Sequence, residues 1–159
     1  MGVTAVEVRR VIAGDPRQVY ELIADVTRMS EWSPESAGAE WISGAPGAVG
    51  STFRGHNRRA WARWSTTCTV IAADPGRRFA FVVEDGGIAG RPGATWEFEI
   101  FARPGGCEVV ERTVDSRSRF YRSLTWVTTG VQRRSARNRQ TMQQTLAALA
   151  YFVENDHGH

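Results

Sequence analysis

Lysine is absent from this chain of 159 residues, and all 20 basic residues are arginine. That excludes Schiff-base chemistry, a lysine general base and the lysine of a phosphate-binding loop. Cysteine is scarce. Cys68 and Cys107 lie in separate strand-like runs, and two reduced, buried thiols are expected rather than a disulfide or a zinc pair. Of the histidines only His56 falls inside the body of the chain, because His157 and His159 sit in a tail, residues 156–159, expected to fray. No metal-binding spacing occurs, and no cofactor is expected. No apolar run approaches the ~18–20 residues of a membrane helix. The opening "MGVTAVEVRR" lacks the charged leader and apolar core of a secretory signal, and Val6 stands where a myristoylation motif has Ser or Thr. These absences favour the cytoplasm. With no repeat and no low-complexity linker, one domain is expected over residues 1–155.

What is present is ordinary in amount and informative in order. The hydrophobic fraction is 42%, typical of a globular chain. The net charge of +3 permits weak contact with nucleic acid or an anionic surface and requires neither. "VTAVEVRRVI" (Val3 to Ile12) alternates like a strand. "GDPRQVYELIAD" reads as a helix with Asp15 as N-cap, Pro16 in the first turn, and Val19, Tyr20, Leu22 and Ile23 on its apolar face. "DVTRMSEWSPE" continues with Val26, Met29 and Trp32 at spacings of three. Thr27 is expected to cap a second short helix, which Ser33-Pro34 stops. Strands follow: "AEWI", "GSTFRGHN" with a turn around "NRRA", "ARWSTTCTVIAA", "RFAFVVE", "ATWEFEIFA" and "CEVVERTVD". Gly or Pro at the breaks and short connections predict an antiparallel meander. The tail from about Ser116 reads as helical, with a bend at Gly130. From Gln132 to Asn155 the repeat Met142, Leu146, Leu149, Val153 predicts one long amphipathic helix.

This order resembles the helix-grip fold of the START-related superfamily (SRPBCC), and in particular its small bacterial polyketide cyclase/dehydrase branch. The resemblance rests on "DPRQVYELIADVTRMSEWSPE", "GSTFRGHNRRAWARWSTTCTVIAADPGRRFAFVV", "TWEFEIFARPGGCEVVER" and "MQQTLAALAYFVE". It implies an α+β fold: a curved antiparallel sheet of about seven strands wrapped around a long C-terminal helix, with two short helices after the first strand. It also implies a cavity between sheet and helix. Six Trp, seven Phe and three Tyr supply bulk to line or fill one.

The expected ligand-binding residues are Trp32, Phe53, Trp64, Phe81, Trp96, Phe98, Glu111, Tyr121 and Trp126. Each of the aromatics could equally be core packing. Glu111 shares parity with Cys107 and Val109 and would be a cavity carboxylate if these face inward. The opposite parity buries Val110 and Val114 and exposes it. His56 is opposite in parity to Phe53, so a buried Phe53 puts it outside unless a bulge at Gly55 reverses the alternation. Glu111, His56 and Tyr121 are the acid/base candidates. The cluster Arg133, Arg134, Arg137 and Arg139 is a solvated helix face or a contact for acidic lipid, RNA or protein. It lacks the interleaved aromatics of a nucleic-acid platform. "DGGIAGRPG" precedes a strand, not a helix, which excludes a phosphate cradle.

The resulting expectation is a small hydrophobic ligand, polyketide-like, lipid or aromatic, bound in an internal cavity, with cyclisation or dehydration as a possible activity. The alternatives are a carrier or sensor without chemistry, and an interaction module for RNA or protein using the arginines. A homodimer is compatible with either.

Overall fold

The computed structural model describes residues 4–84, 92–115 and 130–155. In chain order the elements are β1 (Thr4–Ile12), α1 (Pro16–Ala24), a 3-10 turn (Val26–Arg28), α2 (Met29–Trp32), β2 (Ser36–Ser43), β3 (Thr52–Arg59), β4 (Ala62–Asp74), β5 (Arg78–Glu84), β6 (Pro92–Arg103), β7 (Gly106–Asp115) and the long helix α3 (Gly130–Asn155). The seven strands make one sheet in the order β1-β7-β6-β5-β4-β3-β2. Every adjacent pair is antiparallel. The helix-grip architecture expected from the sequence is therefore the one observed.

Local chemistry explains the elements. Asp15 caps α1 by accepting a hydrogen bond from the Arg17 N–H at 2.7 Å, with Pro16 in the first turn. At the next corner the cap is Asp25 rather than Thr27. The Asp25 carboxylate accepts from the Thr27 N–H at 3.2 Å and from the Thr27 hydroxyl. A carboxylate spans this 3-10 turn because it can accept from both donors at once. α2 ends at Trp32, where Ser33 is already extended ahead of Pro34. The turn after β3 lies at Ala60-Trp61, later than "NRRA" suggested, and Ala60 takes the left-handed conformation there (φ 51°). Gly106 is needed at the start of β7, since a Cβ would lie 2.2 Å from the Ile12 carbonyl oxygen at the end of β1.

The apolar faces meet as the periodicity predicted. Met142, Leu146, Leu149 and Val153 of α3 are buried. Full burial of each contributes roughly 1.5–3 kcal/mol, so this stripe holds the helix more than its propensity does. α3 packs on β1, β7, α1 and α2. Edge-on aromatic contacts run from Tyr20 to Phe79 (6.2 Å between ring centres), and from Phe81 through Phe53 (5.1 Å) to Trp41 (5.5 Å). Cys68 and Cys107 are free and buried. The segment 116–129 and the tail 156–159 lie outside the described residues.

Candidate functional site

The aromatics of the inner sheet face do not fill it. A cavity of about 220 Å³ remains between the sheet, α2 and α3, and Trp32, Phe53, Trp64, Phe81, Trp96, Phe98 and Glu111 all form part of its wall. Alternation along the strands puts them there. Phe81 faces Trp96 across β5 and β6, and Phe98 faces Glu111 across β6 and β7. Trp64 departs from the expectation of an inner core position. It lies at the start of β4, lines the cavity mouth and is 41% exposed. Tyr121 and Trp126 lie outside the described residues.

His56 stands on the outer face. Gly55 keeps regular register with Ala39 and Thr66, so no bulge reverses the parity, and Phe53 is buried. The imidazole shares hydrogen bonds with Ser65 Oγ (2.8 Å) and Glu40 Oε1 (3.1 Å). It therefore cannot serve the cavity. In the arginine cluster, Arg139 donates to the Glu7 carbonyl oxygen at 3.1 Å and Arg137 is exposed. The side chains of Arg133 and Arg134 are outside the described set.

Glu111 faces inward with Cys107 and Val109, and is only 3% exposed. Its Oε2 has no hydrogen-bond partner among the described residues. Burial pushes the carboxyl well above the usual carboxylate range, with no other contributor. The protonated form, both donor and acceptor, is thereby favoured. Trp32 is also 3% exposed, and its indole Nε1–H has no partner among the described residues either. Both line the same cavity and neighbour Phe98, which Trp32 meets edge-on at 6.0 Å and which is directly opposite Glu111 in the sheet. An unsatisfied buried polar group costs roughly 1–3 kcal/mol. Two in one small cavity are a large charge against a net stability of about 5–15 kcal/mol.

The remaining polar wall is quieter. Thr145 Oγ1 donates to the Thr141 carbonyl oxygen at 2.9 Å, and Glu35 at the rim pairs with Arg59 at 2.8 Å. Cys68 also lines the cavity, its thiol pushed up to about 12 by burial, with a Thr66 hydrogen bond opposing and Glu84 adding to the rise. Asn57, Thr66 and Cys68 were not nominated from the sequence. Their signal was there: Asn57 shares parity with Phe53, and Thr66 and Cys68 share parity with Trp64. Among the described residues no group of His, Cys, Asp or Glu side chains could hold a metal, and no helix is long and apolar enough to cross a membrane.

With this geometry in place, the comparisons with known proteins are specific. Residues 3–151 match the family described as "Polyketide cyclase / dehydrase and lipid transport". The chain belongs to this family. Members of this family share a hydrophobic-ligand-binding fold, which agrees with the apolar cavity. Among solved structures, the Polyketide_cyc-like protein Cgl2372 from Corynebacterium glutamicum is similar over 99% of both chains, at 26% identity and a TM-score of 0.67. The di-domain ARO/CYC StfQ of the steffimycin biosynthetic pathway aligns with 96% of this chain and 51% of its own, at 14% identity and a TM-score of 0.74. Ara h 8.0201 covers 98% of this chain and 100% of its own, at 12% identity and a TM-score of 0.66. The last two likenesses are of fold alone. No curated protein matches the chain.

Proposed function

We propose that this protein binds a small hydrophobic molecule in the cavity between its sheet and α3. The observation that carries the reading is the retained volume of about 220 Å³, walled by Trp32, Phe53, Phe81, Trp96 and Phe98 rather than collapsed upon them. Large apolar side chains around retained space are the usual form of a small-molecule site. Native mass spectrometry of freshly purified protein, followed by tryptophan-fluorescence titration with bicyclic aromatics, tests it. Either a co-purifying molecule or saturable quenching is expected. A protein that is always empty and never responds contradicts the reading.

Cyclisation or dehydration is the second reading, and Glu111 is the observation that favours it. In dehydration of a β-hydroxyketone, protonated Glu111 would give its proton to the departing hydroxyl, which leaves as water. The resulting carboxylate would then take the proton from the carbon next to the carbonyl, forming the alkene and restoring the acid. The walls would hold the substrate in its reactive conformer. StfQ, an ARO/CYC by name, supports this reading only through shared fold. Turnover of a β-hydroxyketone by wild type but not by Glu111→Leu is expected, and equal turnover by both would leave binding alone.

A further inference from the structure

The cavity wall carries two buried polar groups that have no hydrogen-bond partner among the described residues. Trp32 Nε1–H and Glu111 Oε2 are both buried and both unpartnered, and both side chains belong to the same cavity wall. Both neighbour Phe98: the Trp32 ring of α2 meets it edge-on at 6.0 Å, and Glu111 of β7 is its register partner. Among the described wall residues, the Thr145 hydroxyl is spent on the Thr141 carbonyl oxygen and Glu35 on Arg59. No arginine is among the described wall residues, so these two groups offer hydrogen bonds without positive charge.

We propose that the Trp32–Glu111 pole takes the uncharged acceptor oxygen of a compact, flat ligand, such as an aryl ketone. This rests on the cavity-binding reading and deepens it. An indole N–H donates only, and a protonated carboxyl donates and accepts, so a carbonyl oxygen is an acceptor that suits both groups. A carboxylate ligand gains no cation here and must shed its hydration, so anions are excluded. Size narrows the class further. An apolar cavity of ~150 Å³ holds benzene, and drug-sized ligands occupy ~300–1,000 Å³. The volume of about 220 Å³ therefore suits one or two rings.

The experiment compares three probes of matched shape by calorimetry on the wild-type protein: 1-tetralone, the hydrocarbon tetralin, and the 1-naphthoate anion at pH 8. The expected result is 1-tetralone binding at least about tenfold more tightly than tetralin, the ratio that two net hydrogen bonds supply, with naphthoate weakest. Glu111→Leu and Trp32→Phe should each erase most of that preference while leaving tetralin binding. Glu111→Gln, which keeps a donor, should lose less than Glu111→Leu. Equal binding of 1-tetralone and tetralin overturns the polar pole and leaves an apolar site standing. Naphthoate binding best overturns the neutral-ligand assignment. If no probe binds, the cavity-binding reading fails together with the pole.

Discussion

Glu111 and Arg112 are adjacent in β7 and live in opposite worlds. Arg112 faces outward, where its guanidinium meets Glu7 at 2.9 Å, Glu99 at 3.1 Å and Glu97 as well. Glu97 is shared with Arg78 at 2.5 Å, so the outer face of β1, β7, β6 and β5 carries a connected ladder of opposite charges. One residue earlier, Glu111 faces a cavity with an oxygen that nothing satisfies. On the outer face of this sheet region, the charges of Glu7, Glu97, Glu99, Arg78 and Arg112 are all paired. The outer ladder serves folding, and the inner pole is the one we propose for a ligand.

The largest expected contrast between the two faces is in pH dependence. Glu111 has its folded-state pKa raised by burial, so the native state holds a proton that the unfolded chain loses above ~4.3. Its contribution is therefore fully present below ~4.3 and declines as pH rises toward the folded pKa, by up to about 1.4 kcal/mol per unit. Glu97 behaves in the opposite sense. Burial raises it, but the hydrogen bond and charge of Arg78, the Glu99 hydrogen bond and the Arg112 charge outweigh that and hold it low. Its contribution is present above ~4.3 and is lost as pH falls through the lowered folded pKa. Urea unfolding across pH should show Glu111→Gln removing the decline on the neutral side, and Glu97→Gln flattening the loss on the acid side.

Stability at neutral pH gives the next contrast. Glu111→Leu replaces an unsatisfied buried group by an apolar one and should stabilise the protein by about 1–3 kcal/mol. Arg112→Leu should destabilise it by about 1 kcal/mol, as for a partly exposed ion-pair network. Two changes of the same sign in urea midpoints would erase the distinction between the faces.

Much of this was legible in the sequence, and the limits were physical. The strands, the long helix and the cavity-wall positions Phe53, Phe81, Trp96 and Phe98 follow from alternation of two and from helical spacing. Glu111 was ambiguous because β7 is buried on both faces. Val110 is only 3% exposed although it points outward, where its register neighbours are Arg9 and Glu99. The ladder's residues thus cover an apolar patch, and alternation within β7 alone could not choose a side. Trp64 lines the cavity as expected, but its exposure was not legible, because parity gives the face of a strand and not how deeply a position is covered. The orphaned Trp32 N–H had no sequence signal at all, since a missing hydrogen bond is a property of the assembled corner.

The smallest expected effect concerns Cys68. With its thiol pushed up to about 12, it should react negligibly with a disulfide reagent at pH 8 in the native protein, and fully after denaturation. Ready native labelling would show that the cavity is wetter than the pole requires.

The central claim, that Glu111 is a neutral hydrogen-bonding group of the cavity, is tested most directly by carbon-13 NMR of its side-chain carboxyl. The account predicts the chemical shift of a protonated acid at pH 7, a titration well above ~4.3, and a change on adding 1-tetralone but not tetralin. A carboxylate shift at pH 7, with an ordinary titration and no response to either probe, would contradict it.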